Sequence, residues 1–171
     1  MRVVLMFGML SLASVLLGCG STSAPPVASG GPSAEGAKYL LTAEPADAMG
    51  VKQLKANAKD GDVIVLEGRI GGDEKPWVEG QAAFMVVDKS LNPCDDKEGC
   101  PTPWDYCCSL NELPSCKALV KIVDANGKTV ATDAKKLLGV KELTTVVIKG
   151  TAKKDEAGNL TVLASSVFVR K

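Results

Sequence analysis

The sequence predicts a mainly β domain with an N-terminal helix, one short internal helix and a cysteine-rich insertion. Three observations carry the prediction. Runs of β-branched residues recur between turn-forming clusters, no repeated helical crossover separates them, and five cysteines crowd into one 23-residue stretch of the 171-residue chain. Taken in order, residues 42–59 have a helical pattern, with Pro45 and Asp47 suited to a first turn and Ala48, Val51, Leu54 and Ala58 at helical spacing. Asp60-Gly61 ends it, and the period then changes to that of a strand over 62–70, ending at Gly71-Gly72. Further strands are expected over 82–88, 118–124, 144–152 and 160–170, with a short return strand at 128–132. Residues 133–138 form the internal helix, stopped by Gly139.

This order resembles the OB-fold, a five-stranded Greek-key barrel whose helix lies between its third and fourth strands. Phe84-Met85-Val86-Val87-Asp88 matches the F-x-x-x-D pattern frequent in its second strand, and Gly68 and Gly150 interrupt strands that must bend for closure. The resemblance spans residues 62–171, broken by the insertion at 89–117. It implies a small closed barrel with Phe84, Ile148 and Phe168 in the core. An immunoglobulin-like or other small β-sandwich is the competing arrangement.

Upstream of the domain, Arg2 precedes a 15-residue apolar run at 3–17, shorter than the roughly 20 residues a bilayer span needs. The run ends in Leu16-Leu17-Gly18-Cys19, which resembles the lipobox of bacterial lipoproteins. The resemblance implies a signal peptide over 1–18, cleavage before Cys19, and acyl chains such as palmitate on that residue. Gly20, rather than aspartate, after the cysteine points in that family to the periplasmic side of the outer membrane. Residues 19–36 then read as the lipidated cysteine and a tether, since 11 of the 17 residues from 20 to 36 are Gly, Pro or Ser. The folded domain is expected over 37–171.

Composition removes several chemistries. Without histidine the chain has no Ser-His-Asp triad, Cys-His dyad or histidine-ligated metal. Its 20 basic and 20 acidic residues balance, so no broad positive field gathers nucleic acid. The lysines at 135, 136, 141, 149, 153 and 154 read as a solvated face. Gly68-Arg69-Ile70-Gly71-Gly72 lacks the GxxxxGK[ST] pattern of a phosphate loop and reads as a tight turn.

The insertion is the strongest local signal. Cys94, Cys100, Cys107, Cys108 and Cys116 follow the spacing C-x5-C-x6-CC-x7-C, with Trp104 and Tyr106 between them. The pair of motifs GRIGG and PWDYCC is similar to a group of small bacterial envelope lipoproteins, and this resemblance implies an envelope address without an activity. Three chemistries fit the cysteines. Two disulfides with one free thiol would staple the long loop in an oxidising compartment. Four thiolates could instead hold zinc, copper(I) or an iron–sulfur cluster, although no CxxC knuckle is present. Thiol redox chemistry would need a thiolate of lowered pKa, with Lys97 and Lys117 nearby in sequence. Asp88, Asp95, Asp96, Glu98 and Asp105 offer oxygens for calcium but lack EF-hand spacing and read as a solvated acidic loop.

The function expected from sequence is a lipid-anchored, non-enzymatic envelope module that binds an envelope protein or small ligand through Trp77, Trp104 and Tyr106. No residue is assigned a catalytic role. The alternative is a metal-binding (zinc or copper) or thiol-redox envelope protein that uses the cysteine cluster.

Overall fold

In the computed structural model, which describes residues 31–94 and 99–171, the chain forms a closed five-stranded barrel with additions at its edges. The strands in chain order are β1 (Met49–Gly50), β2 (Val63–Ile70), β3 (Trp77–Val78), β4 (Ala83–Val87), β5 (Lys117–Ile122), β6 (Thr145–Lys154) and β7 (Leu160–Val169). Their order in the sheet is β1-β2-β6-β7-β5-β4-β3, and an additional β2–β4 pairing closes the ring. β5 and β7 run parallel (Leu119 opposite Thr161), whereas the other barrel neighbours are antiparallel. This is the OB arrangement the sequence predicts. The segment expected to be a signal peptide (1–18), Cys19 and residues 20–30 of the expected tether lie outside the described residues. Among the described residues no helix is long and apolar enough to cross a membrane.

Alternation builds the core. In β2 the side chains of Ile64, Leu66 and Ile70 turn inward while Val63, Val65 and Glu67 face out. Phe84, Val120, Ile148 and Val162 join them, each fully buried, and each such side chain contributes roughly 1.5–3 kcal/mol by leaving water. Gly150 makes closure possible, because a Cβ there would lie 2.4 Å from the Leu163 carbonyl oxygen.

At the same place the register slips. Lys149 pairs with Ser166 but Gly150 with Ala164, which leaves Ser165 as an extra residue in β7. Ser165 hydrogen-bonds the Lys149 carbonyl. The bulge reverses the inward phase of the strand, so Val167 is buried and Phe168 is only half-buried on the outer side. The expectation of Phe168 in the core is therefore corrected to Val167.

The N-terminal helix is also shorter than the pattern predicts. α1 covers Val51–Asn57 alone. Asp47 has φ 60°, Met49–Gly50 pairs with Leu66–Glu67, and Arg170 bridges Glu44 and Glu67, so residues 42–50 lie as an extended strap. The helix is capped from outside, with the Lys52 N–H donating to Asp88 Oδ2 at 2.8 Å. α2 (Leu113–Cys116) ends the insertion, and α3 (Ala134–Leu138) is the internal helix, closed by Gly139. The predicted return strand at 128–132 is reduced to one bridge, Val123 with Thr129. Ordered packing reaches back into the segment read as tether, where the Ser33 N–H donates to the Leu137 carbonyl at 3.1 Å.

Candidate metal centre

The insertion leaves the barrel after β4 and returns at β5, and the two sequence motifs meet where it docks. The Gly72 N–H donates to the Trp104 carbonyl at 2.7 Å. Gly72 has φ 90°, and a Cβ there would meet Val87 Cγ2 at 2.6 Å; one on Gly71 would lie 2.5 Å from the Trp104 oxygen. Arg69 Nη1 donates to the Leu91 carbonyl and to the Tyr106 hydroxyl, both at 3.3 Å. The GRIGG segment is thus the seat of the PWDYCC segment, which explains its glycines without a phosphate.

On this seat lies a second, smaller core of Val87, Leu91, Tyr106, Leu113 and Cys116. Tyr106 is fully buried in it. Burial pushes the Tyr106 phenol up, with Arg69 opposing that shift. Of the three aromatic residues proposed as contacts, Tyr106 therefore presents no surface. Trp77 packs against Phe84 at 5.8 Å between ring centroids, donates to Glu142 Oε1 at 2.7 Å and is covered by Lys135. Trp104 is half-buried, with its indole N–H on the Glu74 carbonyl.

The five cysteines separate into four and one. Cys116 is buried in the small core beside Ser115. The other four converge. Cys107 Sγ lies 3.4 Å from Cys94 Sγ, 3.8 Å from Cys100 Sγ and 4.0 Å from Cys108 Sγ. Tyr106 makes this possible by adopting a left-handed conformation, φ 58°, between two short 3₁₀ turns, Pro103–Asp105 and Cys107–Ser109. The Cys94 N–H donates to the Pro103 carbonyl, which brings the first cysteine alongside.

A carboxylate completes the group. Asp105 Oδ1 accepts from the Cys107 N–H at 2.8 Å and lies 3.9 Å from Cys94 Sγ, while Oδ2 accepts from the Thr102 hydroxyl at 2.7 Å. Burial pushes the Asp105 carboxyl up, but the hydrogen bonds from Cys107 and Thr102 prevail and hold it below its ordinary range. Burial likewise raises the Cys94 thiol, and the bonds from Cys108, Cys107 and Cys100 bring it down. Cys107 moves the other way, pushed up first by Cys94 and then by Cys100 and Asp105.

One ligand atom from each of Cys94, Cys100, Asp105 and Cys107 falls within 4.8 Å of all the others. A tetrahedral ion with metal–sulfur bonds of about 2.3 Å requires sulfur–sulfur edges of about 3.8 Å. The three distances from Cys107 bracket that value. No disulfide joins two of the described cysteines; such a bond would bring two sulfurs to about 2.0 Å.

The calcium and redox readings fare differently. Asp88 uses its oxygens on the Lys52 and Ser90 N–H groups, while Asp95, Asp96 and Glu98 lie outside the described residues. Lys97 does too, and Lys117 donates to the Gly72 carbonyl. No family model matches the chain, and no curated protein aligns with it significantly.

Proposed function

We propose that this protein is a lipid-anchored envelope module whose barrel carries a thiolate site for a soft cation, Zn²⁺ or Cu(I). The convergence of Cys94, Cys100, Asp105 and Cys107, whose ligand atoms all lie within 4.8 Å of one another, carries the reading. Asp105 is the fourth donor of this group, and Cys108, with its Sγ 4.0 Å from Cys107 Sγ, is a further thiolate beside it. Soft thiolates select such ions over calcium or magnesium. The Asp105 hydrogen bond to the Cys107 N–H resembles the outer-sphere support that fixes ligands around bound metals. The ion supplies closure to a loop whose small core would not order it alone, and the barrel supplies a rigid seat. The anchor reading rests on Leu16-Leu17-Gly18-Cys19, and Gly20 after the cysteine supports the periplasmic side of the outer membrane.

Cobalt(II) titration tests the site. Tetrahedral thiolate coordination gives intense visible and near-ultraviolet absorption at one equivalent. Each of Cys94→Ser, Cys100→Ser and Cys107→Ser should weaken or abolish it, while Cys116→Ser should not. A spectrum that survives all three changes contradicts the assignment. The anchor has its own test: Cys19→Ala should stop incorporation of labelled palmitate and release the protein from membranes, and unchanged fractionation would refute it.

A further inference from the structure

The converging group is not made of sulfur alone. Asp105 stands with Cys94, Cys100 and Cys107, one ligand atom of each lying within 4.8 Å of all the others. Its two oxygens are used differently. Oδ2 accepts from the Thr102 hydroxyl at 2.7 Å, whereas Oδ1 accepts from the Cys107 N–H at 2.8 Å and lies 3.9 Å from Cys94 Sγ. A carboxylate oxygen has two lone pairs, so Oδ1 retains one after that bond. Around a tetrahedral ion with metal–sulfur bonds of about 2.3 Å and metal–oxygen bonds of about 2.0–2.2 Å, a sulfur–oxygen edge measures about 3.5–3.7 Å. The Asp105–Cys94 separation stands slightly above that range. Thr102 closes the turn twice, since its carbonyl also accepts from the Asp105 N–H at 2.9 Å.

We infer that Asp105 matches this donor set to Zn²⁺ rather than Cu(I), and that Thr102 is the positioning residue that makes Asp105 a single-oxygen donor. The inference rests on the thiolate-site reading above and deepens it by choosing between its two ions. A carboxylate oxygen is a hard donor. Zinc is borderline in softness, takes such an oxygen alongside thiolates, and fills four positions with them. Copper(I) is soft and is satisfied by thiolates, so the three sulfurs hold it with the carboxylate left out. The oxygen of this three-sulfur, one-oxygen set therefore stabilises the divalent ion alone. The Thr102 hydroxyl occupies Oδ2 and leaves Oδ1 as the coordinating atom. Hydrogen-bond partners that orient a ligand in this way commonly carry about 10–100-fold in metal affinity.

Competition against chromophoric chelators tests the assignment, with Zn²⁺ and Cu(I) titrated separately into the full chain without oxygen. The readout is the ratio of the two affinities within each variant, since a merely loosened turn would weaken both. Thr102→Val keeps the shape of the side chain and removes its hydroxyl. It should weaken Zn²⁺ binding about tenfold or more and change Cu(I) binding by less than about threefold. Thr102→Ser retains a hydroxyl and should keep the wild-type ratio. Asp105→Asn keeps a carbonyl oxygen for the Cys107 N–H, and it should lower Zn²⁺ affinity at least as far while sparing Cu(I). An unchanged ratio in either Thr102→Val or Asp105→Asn, or a Thr102→Ser ratio equal to that of Thr102→Val, overturns the inference and leaves the thiolate site standing. Should Thr102→Val fail to fold, Asp105→Asn decides by the same ratio. A wild-type chain that binds Cu(I) but not Zn²⁺ overturns this inference alone, and one that binds neither ion overturns the site with it.

Discussion

The barrel and the insertion are neighbours held together by different means. The barrel closes a complete ring of backbone hydrogen bonds around one continuous core, from Ile64 and Leu66 through Phe84 and Val120 to Ile148 and Val162. Among the described residues, the insertion has only five buried side chains of its own, Leu91, Cys94, Tyr106, Leu113 and Cys116, and of these only Leu91 and Leu113 are purely aliphatic. Its shape comes from short 3₁₀ turns, a glycine seat and a knot of sulfur atoms. The comparison teaches that a long loop can be precise without a large core if a few strong local bonds substitute for burial.

The largest effects should lie in the barrel. Phe84→Ala is expected to cost about 3–5 kcal/mol and Ile148→Ala about 2–5 kcal/mol, read as a shift of the whole urea transition. If either variant melted only the insertion, the barrel would not be the dominant unit.

Tyr106 sharpens the boundary. Tyr106→Ala should cost about 3–5 kcal/mol locally, by emptying the small core. Tyr106→Phe, which loses only the bond from Arg69, should cost about 1 kcal/mol. Hydrogen exchange should show the Ala variant opening residues 100–116 while β6 and β7 stay protected. Global loss of protection would erase the distinction between the two regions.

Asp88 ties the regions together, since it ends β4 and caps α1. Burial pushes its carboxyl up, but the N–H groups of Ser90 and Lys52 outweigh burial and hold it below the ordinary carboxylate value. A depressed folded pKa adds stability above the unfolded value, and this is lost as pH falls through the folded one. Asp88→Ala should therefore cost about 1–2 kcal/mol near neutral pH. Its disadvantage should shrink in acid below the ordinary Asp range. A penalty constant down to strongly acidic pH would assign the loss to packing alone.

The smallest effect separates adjacent residues of β7. Val167→Ala should cost about 2 kcal/mol, and Phe168→Ala about half as much despite its larger ring. Equal costs would contradict the bulge at Ser165.

The same division governs what the sequence makes legible. The barrel strands are readable because each alternates, and β-branched residues in 62–70 or 144–152 have few other uses. What hides is any feature set by a distant partner. The strap at 42–50 keeps a helical pattern, but Asp47 takes a left-handed conformation and the cap comes from Asp88, 36 residues away from Lys52. The Ser165 bulge leaves no signature in the pattern, so Phe168 reads as core. In the insertion, spacing identifies five cysteines but not the four that meet. That selection depends on the left-handed turn at Tyr106, which makes adjacent Cys107 and Cys108 compatible with one cluster. Asp105 reads as one acid among several until Thr102 and Cys107 fix its carboxylate. The link between GRIGG and PWDYCC becomes physical only once Gly72 is seen beneath Trp104.

The central claim is that Cys94, Cys100 and Cys107, together with Asp105, serve as ligands. Intact-mass measurement of the purified folded domain, residues 31–171, native and then denatured, with alkylation of accessible thiols, tests it most directly. The account predicts one bound Zn²⁺ or Cu(I) per chain under native conditions. Denaturation with a chelator should release it and expose five alkylatable thiols, matching the five cysteines after Cys19. A native mass without metal, lower by the four hydrogens that two disulfides remove and leaving one alkylatable thiol, would contradict it.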